Sequence, residues 1–335
     1  MRTALIRGAH DLCVAAAELP EPGPDEVRLA IRYAGICGSD LSYYKKGAVG
    51  AFVVVEPLVP GHEVSGVVDH DPSGHFPPGT PVTVHPSSPG EPVIGLESRP
   101  NIWPGGRYLG SAATHPHTQG AMAEFAVVRR DQLRILPVEL PVRRASLAEP
   151  LAVGLHAIEQ AGDIAGRDVL VNGAGPIGLL LAGAATIMGA RVTVSDILEQ
   201  ALARATGLGA QRTILVSTEA LPTEAYDVVF EASGAPPTFS PCLNSLRRGG
   251  TLVQLGIPGG GDQPVDVAPL VARELTYRGA FRFNSELDDA ITMLAEHPEL
   301  ESVITHEFGL DEVVTAFDTA ADARKSAKVL VSFAP

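Results

Sequence analysis

Residues 169–178, VLVNGAGPIG, place the glycine pattern G-x-G-x-x-G directly after a short apolar run. The next apolar run, RVTVSD, ends at Asp196, 18 residues after Gly178. This order is typical of a dinucleotide-binding fold, in which the glycine turn approaches the pyrophosphate and the acid bonds the ribose. The alternative is a plain strand-to-helix turn, which the glycine pattern alone would not exclude. The predicted cofactor residues in this region are Gly173, Gly175, Pro176, Ile177, Gly178 and Asp196.

Asp196 also bears on which nicotinamide cofactor is used. Its carboxylate can accept a hydrogen bond from a ribose 2′-hydroxyl but would repel a 2′-phosphate. The residues that follow, Ile197, Leu198 and Glu199, include no cation that could bind this phosphate. NAD is therefore predicted rather than NADP.

From about residue 150 to residue 280, β-branched runs alternate with helical stretches, as in parallel α/β units. A Rossmann-type, doubly wound parallel sheet is therefore predicted for residues 151–280. Residues 1–150 carry short strands broken by proline and glycine, which indicates an antiparallel, β-rich domain. Two amphipathic helical segments and a final strand would return to that domain. The chain is thus predicted to have a catalytic domain, residues 1–150 and 281–335, interrupted by a cofactor domain.

Length and charge narrow the possible functions. A chain of 335 residues suits about two domains. Its 39 acidic and 25 basic residues give a net charge of −14 at pH 7, which disfavours a nucleic-acid or anionic-membrane partner. The uncharged stretch 169–190 is broken by glycine and proline, so no membrane span is predicted. Three scattered cysteines and no signal-peptide pattern favour a cytoplasmic protein.

A second group of residues suggests a metal site. Cys37 lies in GICGSD, His62 and Glu63 lie in GHEVSG, and Glu149 lies in AEPLAVG. A thiolate, an imidazole and a carboxylate are zinc ligands, and a catalytic zinc site uses about three protein ligands with one position open. Each residue alone has an ordinary alternative: a small buried cysteine, a core histidine, or a surface carboxylate near a helix start. Their combination with the nucleotide pattern favours the metal.

Over essentially its whole length, the sequence resembles the zinc-dependent medium-chain dehydrogenases, the alcohol and sorbitol dehydrogenase superfamily. The segments GICGSD, GHEVSG, AEPLAVGLHA and GAGPIG match that family in order and spacing. Three further segments resemble its polyol-type branch, and most closely the L-idonate 5-dehydrogenases: DLSYYKKGAVGAFVVVEPLVPGHEVSG, GSAATHPHTQG and GAFRFNSELDDAI. The resemblance implies a GroES-like fold for the β-rich catalytic domain.

The resemblance also implies roles for individual residues. Cys37, His62 and Glu63 would bind zinc, with Glu149 bound directly or through the zinc water, and Asp40 would orient His62. The implied catalytic residues are Cys37, Ser39, His62, Glu63 and Glu149, of which Ser39 would contact the reacting oxygen. The implied substrate contacts are Ser39, Tyr43, Glu149, Arg282 and Phe283. The further cofactor contacts are Ser233, Leu255 and Gly256.

Two departures from the family change what is expected. Most relatives bind a structural zinc with four cysteines in the region corresponding to residues 85–108, which contains no cysteine here. One catalytic zinc per chain and no structural zinc are therefore predicted, and the prolines are expected to restrict this loop. Ser42 stands where many relatives have a proton-relaying histidine. A serine can relay a proton through water but cannot store one near neutral pH.

These observations predict a zinc- and NAD-dependent dehydrogenase that oxidises a secondary alcohol of a sugar acid or polyol to a ketone. One alternative is a cyclitol or aminocyclitol dehydrogenase of a biosynthetic pathway. Another is a non-enzymatic NAD-binding protein, against which the complete ligand set argues. The expected partners are a small-molecule substrate and further copies of the chain, in a dimer or tetramer.

Overall fold

The computed structural model describes residues 1–334 and divides the chain into two compact units. Unit 1 comprises residues 1–149, residues 287–322 and the chain from residue 328 onward. Unit 2 comprises residues 150–286 and 323–327.

Unit 1 is built on a seven-stranded sheet and three small two-stranded ribbons. Its strands are β1 (Arg2–Gly8), β2 (Asp11–Ala16), β3 (Glu26–Gly35), β4 (Ala48–Val49), β5 (Phe52–Val53), β6 (Glu63–His70), β7 (Pro81–Val84), β8 (Ser87–Ser88), β9 (Arg107–Tyr108), β10 (Phe125–Arg129) and β11 (Leu133–Ile135). The large sheet has the order β11-β7-β6-β3 and continues into two late strands, while β10 also pairs with β3. Its helices are α1 (Gly38–Lys46) and α2 (Val142–Ala145), and α3 (Ala148–Ala161) begins here and continues in unit 2.

Unit 2 contains a six-stranded sheet in which every pairing is parallel. Its strands are β12 (Asp168–Asn172), β13 (Arg191–Asp196), β14 (Arg212–Leu215), β15 (Tyr226–Glu231), β16 (Leu246–Gln254) and β17 (Thr276–Gly279), and its helices are α4 (Pro176–Ile187), α5 (Glu199–Gly207), α6 (Phe239–Ser245) and α7 (Ala268–Ala272). The spatial order is β14-β13-β12-β15-β16-β17, a doubly wound arrangement. The central strands β12 and β15 are buried along almost their whole length, as expected for a parallel sheet covered on both faces.

The end of the chain returns to unit 1, apart from the short stretch 323–327. The elements are α8 (Glu286–Glu296), β18 (Ile304–Gly309), α9 (Val313–Ala320) and β19 (Lys328–Ser332). β19 pairs antiparallel with β3 and parallel with β18. The β-rich unit is therefore antiparallel except for this one pair, which differs from the fully antiparallel expectation because α9 connects the two strands across the sheet.

The core of unit 1 forms because alternate side chains of its strands point inward. On β3, Val27, Leu29 and Ile31 are buried while the residues between them are partly exposed. They pack in one apolar cluster with side chains from β6, β7, β19 and α9. Within residues 1–334, no helix has the length and apolar character needed to cross a membrane.

Candidate active site

Asp40 joins the two backbone segments that carry Cys37 and His62. Cys37 is the residue before α1, and its N–H donates to Oδ2 of Asp40 at 2.9 Å. The N–H of Gly61 donates to Oδ1 at 3.2 Å, and the Asp40 side chain is completely buried. The negative charge of Asp40 acts on His62 and raises its pKa, while Nδ1 of His62 has no hydrogen-bond partner within residues 1–334. Asp40 therefore orders the backbone beside His62.

Cys37, His62 and Glu63 lie together, with one donor atom from each within 4.8 Å of the other two. His62 and Glu63 are buried, and Cys37 is partly exposed. Thiolate, imidazole and carboxylate are the donor types that zinc prefers. The His62 ring also has one buried nitrogen, Nδ1, without a hydrogen-bond partner within residues 1–334, which is costly in a folded protein. These residues fit a zinc ion.

The electrostatic surroundings of His62 favour a cation. Burial lowers the pKa of His62, but the negative charges of Cys37, Asp40 and Glu149 outweigh burial and raise this pKa to about 10. Surroundings that favour the protonated imidazole are surroundings that favour positive charge at this place. The charge of this site thus agrees with the donor types.

Lys328 in β19 lies against the predicted ligand Glu63. Its Nζ donates to both Glu63 carboxylate oxygens, at 2.6 and 2.5 Å, and to the carbonyl of Ile36 at 3.1 Å. The lysine is only 2% exposed. The charge of Glu63 is therefore largely compensated by a neighbouring ammonium.

Glu149 lies outside the three-residue group and has a different partner. It is buried in the first turn of α3 and accepts the hydroxyl hydrogen of Tyr108 at 2.5 Å. Burial, together with repulsion from Glu63, raises the pKa of Glu149 above its usual range. Nearby His62 lowers this pKa, which shows that Glu149 belongs to the same charged cluster. The alternative of a surface carboxylate is excluded by this burial.

The sequence-predicted substrate residues near α1 have different surroundings. Ser39 lies in the first turn of α1 and is partly exposed. Tyr43 is 2% exposed within the unit 1 core, and its hydroxyl accepts the N–H of Ala112 at 3.0 Å. Tyr43 therefore packs in the unit 1 core, and its expected substrate contact stays a prediction.

The cysteine-free loop of residues 85–108 is ordered by main-chain contacts. β8 pairs with β9, and Glu91 donates its N–H to the carbonyl of Pro104 at 2.9 Å. The Trp103 indole N–H donates to the carbonyl of Leu96 at 2.8 Å. The loop is thus held by a short two-stranded ribbon and by an indole hydrogen bond. The sequence analysis expected only that its prolines would restrict its conformations.

Unit 2 presents a glycine turn at the start of α4. A Cβ on Gly178 would lie 1.9 Å from the carbonyl oxygen of Gly173, so this helix-to-turn contact requires glycine. Gly175 is the residue before α4 and has open space where a side chain would be. An anion can approach such a helix N-terminus closely. Residues 173–178 fit the pyrophosphate of a dinucleotide.

Asp196 ends β13 beside this turn. Its carboxylate accepts the N–H of Ala174 at 2.7 Å and that of Leu198 at 2.9 Å. The carboxylate therefore fixes the first residues of the glycine turn. Each oxygen retains a further lone pair, so Asp196 can also accept ribose hydroxyls.

The other sequence-predicted cofactor contacts lie after β15 and β16. Ser233 donates its N–H to the Glu231 carboxylate at 3.0 Å. Leu255 and Gly256 donate their N–H groups to the Glu231 carbonyl, at 3.0 and 2.8 Å. All three predicted contacts therefore converge on Glu231, which sequence reasoning did not single out.

Arg282 and Phe283 lie late in unit 2. Phe283 is 1% exposed, and its expected contact with the substrate stays a prediction. Arg282 has a left-handed backbone with φ of 55°, and its guanidinium carbon lies 4.8 Å from the centre of the Phe281 ring. The guanidinium thus stacks on an aromatic face.

Both parts of the sequence match models of known protein families. The model of the alcohol dehydrogenase GroES-like domain matches residues 23–138, and that of the zinc-binding dehydrogenases matches residues 176–296. L-idonate 5-dehydrogenase (NAD(P)(+)) of Escherichia coli K12 is 34% identical over 315 residues, covering 90% of each chain. This chain belongs to the zinc-dependent medium-chain dehydrogenases. Human sorbitol dehydrogenase is also 34% identical, over 331 residues that cover 94% of this dehydrogenase and 91% of the human enzyme.

Solved structures agree with this assignment. The crystal structure of E. coli L-idonate 5-dehydrogenase superposes with a TM-score of 0.93 at 31% identity, covering 99% of this dehydrogenase and 98% of that chain. E. coli galactitol-1-phosphate dehydrogenase superposes with a TM-score of 0.88 at 28% identity, covering 99% and 100%. The predicted family, the Rossmann-type and GroES-like fold, and a dehydrogenase that uses zinc and a nicotinamide cofactor are confirmed.

Two charged residues of the dehydrogenase escaped the sequence analysis. Lys328 is the one charged residue in the apolar run AKVLVSF, and an inward-facing charge in a predicted strand could have marked it. Glu231 ends an apolar strand in the same way that Asp196 does. An acid at the carboxyl end of a parallel strand was a usable signal in both places.

Proposed function

We propose that this chain is a zinc- and NAD-dependent dehydrogenase that oxidises a secondary alcohol of a sugar acid or polyol to a ketone. The observation that carries the proposal is the grouping of Cys37, His62 and Glu63, with one donor atom from each within 4.8 Å of the other two. The similarity to an L-idonate 5-dehydrogenase and to sorbitol dehydrogenases supports this substrate class.

The zinc residues we propose are Cys37, His62 and a carboxylate, Glu63 or Glu149. Lys328 compensates the charge of Glu63, while Tyr108 donates to Glu149. Zinc at this site supplies a Lewis acid that lowers the pKa of the substrate hydroxyl. Asp40 keeps the two ligand-bearing segments together through their backbone N–H groups. The site is thus preorganised before substrate binds.

The proton of the substrate hydroxyl leaves along α1 in this proposal. Ser39 Oγ hydrogen-bonds the reacting oxygen, and Ser42 lies three residues further along the same helix. Side chains three residues apart are neighbours on a helix surface, so the two hydroxyls can pass a proton to water. Neither hydroxyl stores it, so each transfer must end in solvent. A nicotinamide cofactor held by unit 2 would supply the hydride acceptor.

NAD is the cofactor we propose, bound by residues 173–178 and by Asp196. Asp196 adds a negative charge where the 2′-phosphate of NADP would lie. The proposed cofactor contacts after β15 and β16 are Ser233, Leu255 and Gly256. The E. coli relative is named for use of both NAD and NADP, so strict NAD preference would distinguish this enzyme from it.

Arg282 is the residue we propose for a substrate carboxylate. A guanidinium can donate two parallel hydrogen bonds to a carboxylate, which a sorbitol-like polyol does not offer. Stacking on Phe281 fixes the plane of this guanidinium. A sugar acid is therefore favoured over a neutral polyol as the better substrate.

The remaining proposals concern the assembly. We propose one catalytic zinc per chain and a homo-oligomer, a dimer or tetramer. Support for self-association comes from β17, an edge strand of the unit 2 sheet that carries the half-exposed Tyr277. The three free thiols suit the reducing cytoplasm, which is the proposed location.

The test of the metal function uses Cys37→Ser and His62→Ala. Both variants should lose zinc and NADH formation, while their affinity for NADH stays within about twofold because the dinucleotide residues are in unit 2. Cys13→Ser, which alters a thiol in β2 far along the chain from the cluster, is the matched control and should keep both zinc and turnover. NADH formation by a variant shown to contain no zinc would refute the mechanism.

The test of the substrate compares L-idonate, sorbitol and a cyclitol such as myo-inositol. Arg282→Gln should raise KM for L-idonate by about tenfold or more and that for sorbitol much less, since only the acid loses a bidentate charge-assisted contact. An equal effect on both substrates would reject the carboxylate role of Arg282. Turnover of the cyclitol alone would replace the sugar-acid proposal with the cyclitol dehydrogenase alternative.

A further inference from the structure

Glu231 lies at the point of unit 2 where a dinucleotide is expected to cross the sheet. It is the last residue of β15, which runs between β12 and β16. Chain order reverses between β12 and β15, and dinucleotides bind at such a switch point with one half on each side. Asp196 ends β13 on the adenosine side, so Glu231 is on the nicotinamide side.

The carboxylate of Glu231 is completely buried and is satisfied by amide and hydroxyl donors. A buried carboxylate is strongly unfavourable unless its lone pairs are occupied. Oε1 accepts hydrogen bonds from Asn172 Nδ2 at 3.0 Å, Ser233 N at 3.0 Å, Thr238 Oγ1 at 3.3 Å and Ser233 Oγ, and Oε2 accepts them from Gly234 N at 3.0 Å and Gln254 Nε2 at 2.5 Å. This set of contacts is called the Glu231 network below.

The Glu231 network connects the ends of three strands. Asn172 ends β12 immediately before the glycine turn, Ser233 follows β15, and Gln254 ends β16. The main-chain carbonyl of Glu231 adds the N–H groups of Leu255 and Gly256. One residue therefore fixes the loops after β15 and β16 against the start of the glycine turn.

These loops touch through their backbones, which leaves little tolerance for displacement. A Cβ on Gly256 would lie 2.2 Å from the N of Gly234 and 2.9 Å from Oε2 of Glu231. A shift of either loop by a fraction of an ångström would change the surface that the nicotinamide half meets. Side chains of this kind act by positioning, because small misplacements of binding groups are costly.

We propose that Glu231 is a positioning residue for the nicotinamide half of the cofactor, acting through the loops after β15 and β16. This inference rests on the proposed dinucleotide function of unit 2. Glu231 itself is buried behind the loops, so its effect is transmitted by Ser233 and Gly256. The adenosine half, which Asp196 and the glycine turn receive, should be largely independent of it.

The experiment measures binding of NADH and of AMP to the zinc-loaded enzyme carrying Glu231→Gln. In the glutamine side chain, an NH2 group replaces one of the two carboxylate oxygens and faces the N–H and O–H groups that donated to that oxygen. At least two hydrogen bonds of the Glu231 network are therefore lost. The Kd for NADH should rise by about tenfold or more. The Kd for AMP should change by less than about twofold, because AMP occupies the adenosine half alone.

The matched control is Asp227→Asn, which makes the same change from carboxylate to amide at the other end of β15. Asp227 accepts from Asp168 N at 2.9 Å and from Arg247 Nη1 at 2.9 Å. Its loss should lower Tm while both affinities stay unchanged. If Glu231→Gln does not fold, Gln254→Met removes one donor and keeps the carboxylate, and it should weaken NADH binding in the same selective way.

The outcomes separate this inference from the proposed function. Selective weakening of NADH supports it. Equal weakening of NADH and AMP, or a lower Tm with both affinities unchanged, would show that Glu231 only stabilises the fold and would overturn it. Failure of the unmodified enzyme to bind NADH would instead overturn the dinucleotide function itself.

Discussion

At the scale of single residues, the charges around His62 explain why the site needs a cation. The cluster contains four acidic groups, those of Cys37, Asp40, Glu63 and Glu149. The ammonium group of Lys328 contacts it through Glu63. Acidic groups placed together in a protein interior repel one another unless a cation compensates them. A divalent metal ion held by Cys37, His62 and a carboxylate would remove this repulsion.

Asp196 should control the choice between NAD and NADP. In Asp196→Ser, kcat/KM for NAD should fall by about tenfold while that for NADP falls less or rises, because a ribose hydrogen bond and a phosphate repulsion are both removed. Steady-state kinetics with both cofactors measures the ratio. Glu199→Gln removes an exposed charge three residues away and should leave the ratio unchanged. Equal efficiency with NADP in the unmodified enzyme would contradict the prediction.

Asp71 should make the stability of unit 1 depend on acidic pH. Burial raises the pKa of Asp71, but this effect is outweighed by hydrogen bonds and by a nearby positive charge. The hydrogen bonds come from the N–H of Phe76 and from the N–H and hydroxyl of Ser73, and the charge is that of Arg130. The net pKa is about 2. A pKa below the unfolded value means that the ionised form stabilises the fold. This stabilisation is present above about pH 4 and is lost as the pH falls towards 2.

Asp71→Asn should therefore be less stable than the unmodified protein by about 1–2 kcal/mol at pH 7. The difference should shrink between pH 4 and pH 2, where the native carboxyl becomes protonated. Thermal unfolding of both proteins across this range measures it. Asp25→Asn removes an exposed partner of Arg130 and should change Tm little. A difference that stays constant down to pH 2 would disprove the assignment.

At the scale of secondary-structure elements, sequence pattern located the strands of unit 2 well. β13 occupies residues 191–196, which carry the run RVTVSD, and β15 starts at Tyr226, where the run YDVVFEAS begins, because polar residues bound both β-branched runs. β16 begins at Leu246, four residues before the apolar run GTLVQLG that starts at Gly250. Its first residues include Arg247, Arg248 and Gly249, whose composition favours a turn, and only pairing with Tyr226 of β15 makes them a strand.

The loop of residues 85–108 should leave the protein with one zinc per chain. It has no cysteine, and its ends are joined by the β8–β9 ribbon and by the Trp103 indole hydrogen bond. Elemental analysis after dialysis against a weak chelator should give about one zinc per chain, since a closed structural site needs four ligands. Cys37→Ser should give about zero. Two firmly bound zinc ions per chain would contradict the prediction.

At the scale of the whole molecule, site residues could be predicted from sequence where their pattern is local, but not where a contact joins residues far apart in the chain. Cys37, His62 and the glycine turn lie in short local patterns that carry their own chemistry. Glu63 and Lys328 are 265 residues apart, and only the pairing of β19 with β3 brings them together. Residue type at one position therefore predicts a ligand, but partners contributed by distant strands follow only from the tertiary fold.

The proposed self-association has its most direct candidate in the free side of β17. Ala280 donates its N–H to the carbonyl of Gln254 in β16. Alternation along a strand then turns the N–H groups of Tyr277 and Gly279 away from β16. Tyr277 is 50% exposed, and Val271 on the preceding helix is also exposed. An exposed edge strand of this kind is suited to pairing with another chain.

Tyr277→Pro should therefore convert the oligomer to a monomer. Proline removes the outward N–H and leaves the inward hydrogen bond of Ala280 to β16 in place, and edge strands tolerate proline at such positions. Tyr277→Phe removes only the hydroxyl contact with Gln254 and should remain oligomeric. Light scattering after size-exclusion chromatography should give 34.9 kDa per particle for the proline variant and at least twice that mass for the other proteins. An unmodified enzyme of 34.9 kDa would exclude self-association, whereas an oligomeric proline variant would place the contact on another surface.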